Sequence, residues 1–124
     1  MGMKALVADD SGVMRKIIIR GLASLGVTDV VEAGDGVEAV KHFQEQAFDL
    51  VLTDWNMPGK TGIEVLKEIR ATGSTVPVVL ITTETEKRRV MDAIQAGVSE
   101  YVIKPFDAAA LQAKLGKFID AVPT

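Results

Sequence analysis

The stretch LVLTDWNMP, residues 50–58, joins a short apolar run to a polar turn. The apolar part, Leu50 to Leu52, is brief and continuous, which is typical of a strand buried on both faces of a sheet. Asp54 stands just past the end of this run. Because an open parallel sheet binds its ligands beyond the carboxyl ends of its strands, the stretch predicts both a central strand and a candidate site.

Apolar runs and amphipathic stretches alternate along the rest of the chain. Further runs rich in β-branched residues cover Ala5–Ala8, Val30–Val31, Val78–Ile81 and Tyr101–Ile103. Apolar stripes at helical spacing begin at Val13, Val37, Ile63, Val90 and Leu111. This alternation indicates an α/β fold, a doubly wound five-stranded parallel sheet or (βα)5, with helices on both faces. We expect the common strand order 2-1-3-4-5, which puts the more polar second strand and the short fifth strand at the edges.

The predicted helices also carry end signals. Asp35, Thr61 and Thr83 each precede a glutamate by three residues, which is the spacing of a capping box. Ser11 and Asp107 are further N-cap candidates. Three glycines that follow apolar stripes fit left-handed positions just past a helix end: Gly26, Gly73 and Gly97.

Length and composition exclude several classes of protein. The 124 residues fit one domain, 1–124, and a content of 48% hydrophobic and 25% charged residues is that of a globular protein. The absence of cysteine excludes thiolate metal sites and disulfide scaffolds, and the single histidine, His42, excludes a multi-histidine site. A net charge of −3 argues against direct nucleic-acid binding. Without a secretory signal or an apolar run of roughly 18 residues, we expect a cytoplasmic protein that does not insert into membranes.

Polar groups follow four of the five apolar runs. Asp9 and Asp10 come after the first run, Asp54 after the third, Thr82 at the end of the fourth and Lys104 after the fifth. Parallel strands would bring these groups to one crevice. Capping alone explains a single aspartate, since Asp10 or Ser11 could cap the first helix. It does not explain a doubled aspartate, another aspartate two runs later and a lysine from a fourth segment.

Such a carboxylate cluster needs neutralising charge. Two carboxylates about 4 Å apart repel by about 4 kcal/mol at an effective dielectric constant of ~20. Lys104 supplies one positive charge, and a divalent cation can supply the rest. Oxygen ligands suit Mg²⁺. The candidate ligands are a carboxylate from the Asp9–Asp10 pair, Asp54 and the backbone carbonyl of Asn56.

A carboxylate beside Mg²⁺ and an ammonium can attack a phosphoryl group and form an acyl phosphate. Asp54 is the best candidate nucleophile, because it follows the predicted central strand. Thr82 could donate a hydrogen bond to a phosphoryl oxygen. No general base is needed, since a carboxylate is already ionised.

These residues resemble the receiver domain of bacterial two-component response regulators, and the resemblance runs from about Met3 to Ala121. The matching residues are Asp9–Asp10, Thr53–Pro58, Thr82 and Tyr101–Phe106, with Asp35–Gly36 before Glu38–Ala39. The segments around Asp54 and Tyr101 look most like single-domain chemotaxis regulators. The family has the flavodoxin-like strand order given above, so that order is not an independent prediction.

The resemblance implies a role for each matched residue. Asp54 would be the phosphoacceptor, Asp9 and Asp10 would hold Mg²⁺ with the Asn56 carbonyl, and Lys104 would contact the phosphoryl group beside a cis bond to Pro105. Thr82 and Tyr101 would form the switch pair. Asn56 and Glu84 would tune spontaneous dephosphorylation. Without the resemblance, Tyr101 could equally be a half-buried aromatic on an edge strand.

The resemblance also implies partners. A sensor histidine kinase would donate the phosphoryl group, and the face formed by the fourth helix, fifth strand and fifth helix would bind an output protein such as a flagellar motor switch component. A phosphatase is a further candidate partner. The protein would then be a switch with self-catalysed phosphorylation and dephosphorylation, and not an enzyme that turns over a substrate.

Thr83 departs from the family pattern, which usually has alanine or glycine after the switch hydroxyl. Its bulk could narrow access to Asp54 or restrict Thr82 and so slow exchange with phosphoryl donors. The alternative is that Thr83 only caps the fourth helix.

Two other functions stay open at this point. The chain could be the receiver domain of a larger, multidomain regulator. It could also be a phosphohydrolase with an aspartate nucleophile, as in haloacid-dehalogenase-like phosphatases. That class generally has a second aspartate two residues after the nucleophile, where this chain has Asn56, which cannot protonate a leaving group. Trp55, beside the site, is expected to be partly exposed.

Overall fold

The computed structural model of the chain describes residues 3–119 and has the predicted topology. Its strands are β1 (Lys4–Ala8), β2 (Asp29–Ala33), β3 (Leu50–Thr53), β4 (Val78–Thr82) and β5 (Glu100–Ile103). Its helices are α1 (Gly12–Ser24), α2 (Gly36–Glu45), α3 (Gly62–Ala71), α4 (Lys87–Gln95) and α5 (Ala108–Leu115), followed by a 3₁₀ turn (Gly116–Phe118). The strands are parallel in the order β2-β1-β3-β4-β5, so the predicted fold class and order are confirmed.

The sheet separates two apolar clusters, because successive side chains of a strand point to opposite faces. On one face, strand residues such as Leu6 and Leu80 pack with α2, α3 and α4. On the other face, Val7 and Ile81 pack with α1 and α5, which contribute Ile18, Leu22, Leu111 and Leu115. Strands β3 and β4 are buried along their whole length, as their continuous apolar runs predicted.

Four of the five predicted N-caps are confirmed. Ser11, Asp35 and Asp107 each accept a hydrogen bond from the backbone N–H three residues later. Thr61 forms the complete capping box with Glu64. Gly26, Gly73 and Gly97 have φ angles of +88°, +86° and +92°, so the three predicted left-handed positions are confirmed as well.

The predicted cap at Thr83 is wrong. Helix α4 begins at Lys87, and Glu86 occupies its N-cap without a side-chain cap. The cause lies one residue earlier, where the Thr82 hydroxyl accepts the Glu84 N–H at 3.2 Å. This local turn carries the backbone away from β4 before a helix can start, and it leaves Thr83 exposed.

Within residues 3–119, no helix combines the length and the apolar character that crossing a bilayer would need.

Helix α3 begins directly against the carboxyl end of β3. The Gly62 N–H donates to the Trp55 carbonyl at 2.8 Å. A Cβ atom at Gly62 would clash with the Asp54 carbonyl oxygen and would lie 3.0 Å from Leu80 Cδ2. Only glycine therefore lets α3 start this close to Asp54.

Gly62→Ala should lower the free energy of unfolding by about 3 kcal/mol, because a backbone clash in a packed site cannot be relieved by a side-chain rotation. Gly116→Ala is the matched control, since open space surrounds Gly116 and its φ of −54° is helical. We expect the control to be neutral or stabilising by up to about 1 kcal/mol. Urea denaturation measures both changes, and equal stabilities would contradict the close approach.

Candidate functional site

The carboxyl ends of β1 and β3 bring the three predicted acids together. Ala8 and Thr53 are partners in the register of these neighbouring strands, and the Asp54 N–H donates to the Ala8 carbonyl at 2.9 Å. As a result, Asp9, Asp10 and Asp54 each offer a carboxylate oxygen within 4.8 Å of the others. Asp9 is 1% exposed and Asp54 is 9% exposed, whereas Asp10 faces solvent.

Lys104 enters this cluster from the end of β5. Its Nζ lies 2.8 Å from Asp9 Oδ2 and 3.3 Å from Asp54 Oδ2. The Lys104 backbone N–H donates to the Thr82 carbonyl at 2.9 Å, which continues the pairing of β4 and β5 past the end of the strand. The Lys104–Pro105 peptide bond is cis, as the resemblance implied.

The remaining carboxylate oxygens have backbone partners. Asp9 Oδ1 accepts the Ser11 N–H at 2.9 Å, and Asp54 Oδ1 accepts the Trp55 N–H at 2.7 Å. Each buried acid therefore has one oxygen held by the chain and one oxygen facing the Lys104 ammonium. The side chains are fixed before any ligand arrives.

Charge in the cluster is not balanced. Burial raises the pKa of the Asp54 carboxyl, the Lys104 ammonium lowers it, and the Asp9 carboxylate raises it again, with a net rise. Burial lowers the pKa of Lys104, but the hydrogen bond to Asp9 and the charge of Asp54 outweigh it and leave a net rise. The cluster thus has three carboxylates and one ammonium, which contacts Asp9 and Asp54, and the site retains an attraction for a cation.

The donor set fits a hard divalent cation. The ligand atoms available are carboxylate oxygens from two buried acids and one exposed acid, and Mg²⁺ is bound in proteins by few carboxylates together with water. Asn56, whose carbonyl is the fourth predicted ligand, is exposed in the loop that follows Asp54.

Thr82, Glu84 and Tyr101 form a second group beside the acids. Thr82 is fully buried, and its hydroxyl accepts the Glu84 N–H. The Tyr101 hydroxyl donates to the Glu84 carbonyl at 2.8 Å, and the ring is half-buried. Burial raises the pKa of the Tyr101 phenol, so its proton stays available for this hydrogen bond. The two predicted switch residues are thus joined through one peptide segment.

The expectation that Trp55 is partly exposed is wrong. The residue is 2% exposed and packs in the cluster under α3 and α4. The Arg89 guanidinium of α4 covers the ring at 5.4 Å from its centroid. Nothing near Trp55 in the sequence indicates this contact, because the covering residue comes from a helix that follows the next strand.

Sequence reasoning also missed Arg15, near the start of α1. Its Nη1 donates to the Asp9 carbonyl at 2.6 Å, and its Nε donates to Glu32 Oε1 at 2.9 Å. Arg15 is one of several basic residues on α1, so its spacing gave no signal.

The chain belongs to the response regulator receiver domain family, which matches residues 5–116. It is 44% identical over 120 residues to chemotaxis protein CheY-3 of Vibrio cholerae, covering 95% of this chain and 92% of that protein. It is 43% identical over 122 residues to chemotaxis protein CheY of Pseudomonas aeruginosa, covering 97% and 98%.

Solved structures agree with this assignment. Chemotaxis response regulator CheY4 of Vibrio cholerae superimposes with a TM-score of 0.87 at 30% identity, covering 96% of this chain and 100% of that chain. The receiver domain of a Francisella response regulator gives a TM-score of 0.86 at 27% identity, covering 94% and 96%. The chain is a CheY-like receiver domain of phosphorelay signalling, that is, a phosphoacceptor switch. Receiver domains bind Mg²⁺ at an acidic pocket, and this chain has an acidic cluster of Asp9, Asp10 and Asp54.

The raised pKa of Asp54 predicts a pH-dependent stability difference. A carboxyl whose pKa is higher in the folded state than in the unfolded state stabilises the fold below its unfolded pKa, and loses that contribution as pH rises through the folded pKa. Without Mg²⁺, Asp54→Asn should therefore raise the free energy of unfolding at pH 7 by on the order of 1 kcal/mol. The gain should shrink as the pH falls through the raised folded-state pKa of Asp54, and it should vanish below the pKa of aspartate in the unfolded chain.

Urea denaturation across this pH range measures the difference. Asp29→Asn is the matched control, because Asp29 is exposed at the amino end of β2, the opposite edge of the sheet. A stability loss in Asp54→Asn at pH 7 would show that the ion contact with Lys104 outweighs burial and the repulsion by Asp9.

Proposed function

We propose that Asp54 is the phosphoacceptor of a chemotaxis-type switch and that a sensor histidine kinase is its donor. The observation that supports this most directly is the pairing of buried Asp54 with the Lys104 ammonium beside two further acids. We further propose that residues 1–124 form one receiver domain that works in the cytoplasm. The curated relatives, named as chemotaxis proteins, support the chemotaxis role.

Asp9, Asp10, Asp54 and the Asn56 carbonyl would hold Mg²⁺. When bound, the cation supplies positive charge to neutralise phosphoryl oxygens. Lys104 would supply further positive charge, since its Nζ lies 3.3 Å from Asp54 Oδ2.

The transfer step forms a bond between an Asp54 carboxylate oxygen and phosphorus. The bond between phosphorus and the imidazole nitrogen of the donor breaks, and the imidazole leaves with the bonding electrons and is protonated by solvent. Asp54 enters as the carboxylate, so no protein base is required. Dephosphorylation is attack by water on the acyl phosphate, with Asn56, Thr83 and Glu84 as the flanking residues that modulate its rate.

The phosphoryl group adds a charge of roughly −1.5 to −2 at the end of β3. We propose that the Thr82 hydroxyl, now an acceptor for the Glu84 N–H, turns to donate to a phosphoryl oxygen. Glu84 would then be released, and with it the carbonyl that holds the Tyr101 hydroxyl. The change at Asp54 would thereby reach β5 and α4.

The proposed hydrogen bond from Thr82 to the phosphoryl group would supply only part of the free energy that a complete switch needs. A hydrogen bond to a charged group contributes about 1.5–3 kcal/mol, which shifts an equilibrium about 10- to 150-fold. A shift from 1:99 to 99:1 needs about 5.5 kcal/mol. Lys104, backbone donors and partner binding would supply the difference.

The output face would be the surface of α4, β5 and α5. It carries exposed apolar side chains at Met91, Ile94 and Ile103. A flagellar motor switch component is the proposed partner for this face, and a phosphatase is a further proposed partner. We propose no direct nucleic-acid contact and no membrane insertion.

Acetyl phosphate with Mg²⁺ should add a single phosphoryl group at Asp54. Intact-mass measurement counts the groups, and peptide mapping locates them. Asp54→Asn and a sample without Mg²⁺ should stay unmodified, while Asp29→Asn should be modified like the unaltered protein. Modification at another residue would overturn the assignment, and steady turnover of phosphorylated metabolites would favour the phosphohydrolase.

Thr83→Ala should speed phosphorylation by acetyl phosphate a few-fold. Thr83 is exposed next to buried Thr82 and does not cap α4, so the remaining hypothesis is that its bulk narrows access to Asp54 or restricts Thr82. The expected gain is below the factor of about ten that 1.4 kcal/mol of barrier would give. Thr83→Val, which keeps the bulk without the hydroxyl, is the control and should react at the original rate. An unchanged rate in Thr83→Ala would refute the hypothesis.

A further inference from the structure

Arg15 connects the end of β1, where Asp9 lies, to the edge strand β2. Its guanidinium bridges the Asp9 carbonyl and the Glu32 carboxylate, which belong to the end of β1 and to β2. The side chain is mostly buried, so the guanidinium is held between the two elements.

The Asp9 carbonyl needs this donor. The Asp9 N–H is paired with the Ala33 carbonyl at 3.1 Å, but β2 ends at Ala33 and the ladder stops there. Asp9 is nearly inaccessible to water, and a buried carbonyl without a donor is costly. Arg15 supplies the missing donor at the last residue before the chain turns to present Asp10.

Asp9 is fixed at each of its other polar atoms too. Ser11 holds one carboxylate oxygen, and Lys104 approaches the other. Without Arg15, the peptide between Asp9 and Asp10 could rotate. The carboxylates of Asp9 and Asp10 would then lose their orientation toward Asp54.

We propose that Arg15 is a positioning residue for Mg²⁺ binding, acting through the Asp9 backbone. The inference rests on the proposed function, because it assumes that the acidic cluster binds Mg²⁺. Outer-shell partners of metal ligands typically change metal affinity about 10- to 100-fold, and one hydrogen bond to a backbone carbonyl belongs at the lower end of that range.

Charge and positioning predict opposite results for Arg15→Met. Arg15 is a cation near a cation site, so its removal would tighten Mg²⁺ binding if only its charge mattered. Loss of the donor to Asp9 would instead weaken binding. We expect about tenfold weaker Mg²⁺ binding in Arg15→Met, measured by calorimetric titration below the melting temperature.

Arg15→Lys keeps the charge but cannot donate to the Asp9 carbonyl and Glu32 as a planar fork. We expect its Mg²⁺ affinity to lie between those of Arg15→Met and the unaltered protein. Arg20→Met, on the exposed side of the same helix, is the control and should bind Mg²⁺ normally. At saturating Mg²⁺, all folded variants should accept a phosphoryl group from acetyl phosphate, because Arg15 does not touch the reacting atoms.

Equal or tighter Mg²⁺ binding in folded Arg15→Met would overturn the inference. If that variant does not fold, normal Mg²⁺ affinity in Arg15→Lys would overturn it instead. The proposed function fails separately, when the unaltered protein binds no Mg²⁺ or takes no phosphoryl group.

Discussion

The Lys104 ammonium lies between the carboxylates of Asp9 and Asp54. The acidic cluster at the carboxyl ends of the strands depends on this contact. Both acids are buried at the ends of neighbouring strands, so without Lys104 two like charges would face each other with little water between them. Loss of Lys104 would leave both buried acids without a counter-ion, and a buried charge left unpaired in this way typically costs about 3–5 kcal/mol. Because Lys104 follows β5, two strands away from β3, the contact also ties the edge of the sheet to its centre.

The ammonium balances only part of the negative charge, and this deficit gives the site its chemistry. The net rise in the pKa of Asp54 means that ionising this carboxyl opposes folding. The two apolar clusters, which cover both faces of the sheet below the acids, supply the stability that this arrangement requires. In the proposed function, recognition of a cation and of a phosphoryl group would rest on charges that an optimally stable fold would not bring together.

Continuous apolar runs and strand-end polar residues were enough to predict the sheet and the acidic cluster, since parallel topology fixes which strand ends meet. Long-range side-chain contacts were not predictable in this way. The burial of Trp55 depends on Arg89, and the environment of Asp9 depends on Arg15, each contributed by a helix whose orientation only the packed fold determines. The cap at Thr83 failed for a local reason, because the Thr82 hydroxyl competes for the same stretch of backbone.

That competition has a consequence for signalling. The Thr82 hydroxyl accepts the Glu84 N–H, and α4 begins only at Lys87, without a side-chain cap. Of the nine residues of α4, only Ala93 is buried, so few apolar contacts oppose its movement. The carbonyl that holds Tyr101 belongs to the segment that Thr82 controls. Under the proposed function, a weakly anchored helix next to a hydroxyl that exchanges an acceptor role for a donor role would let phosphorylation of Asp54 alter a distant surface at small energetic cost.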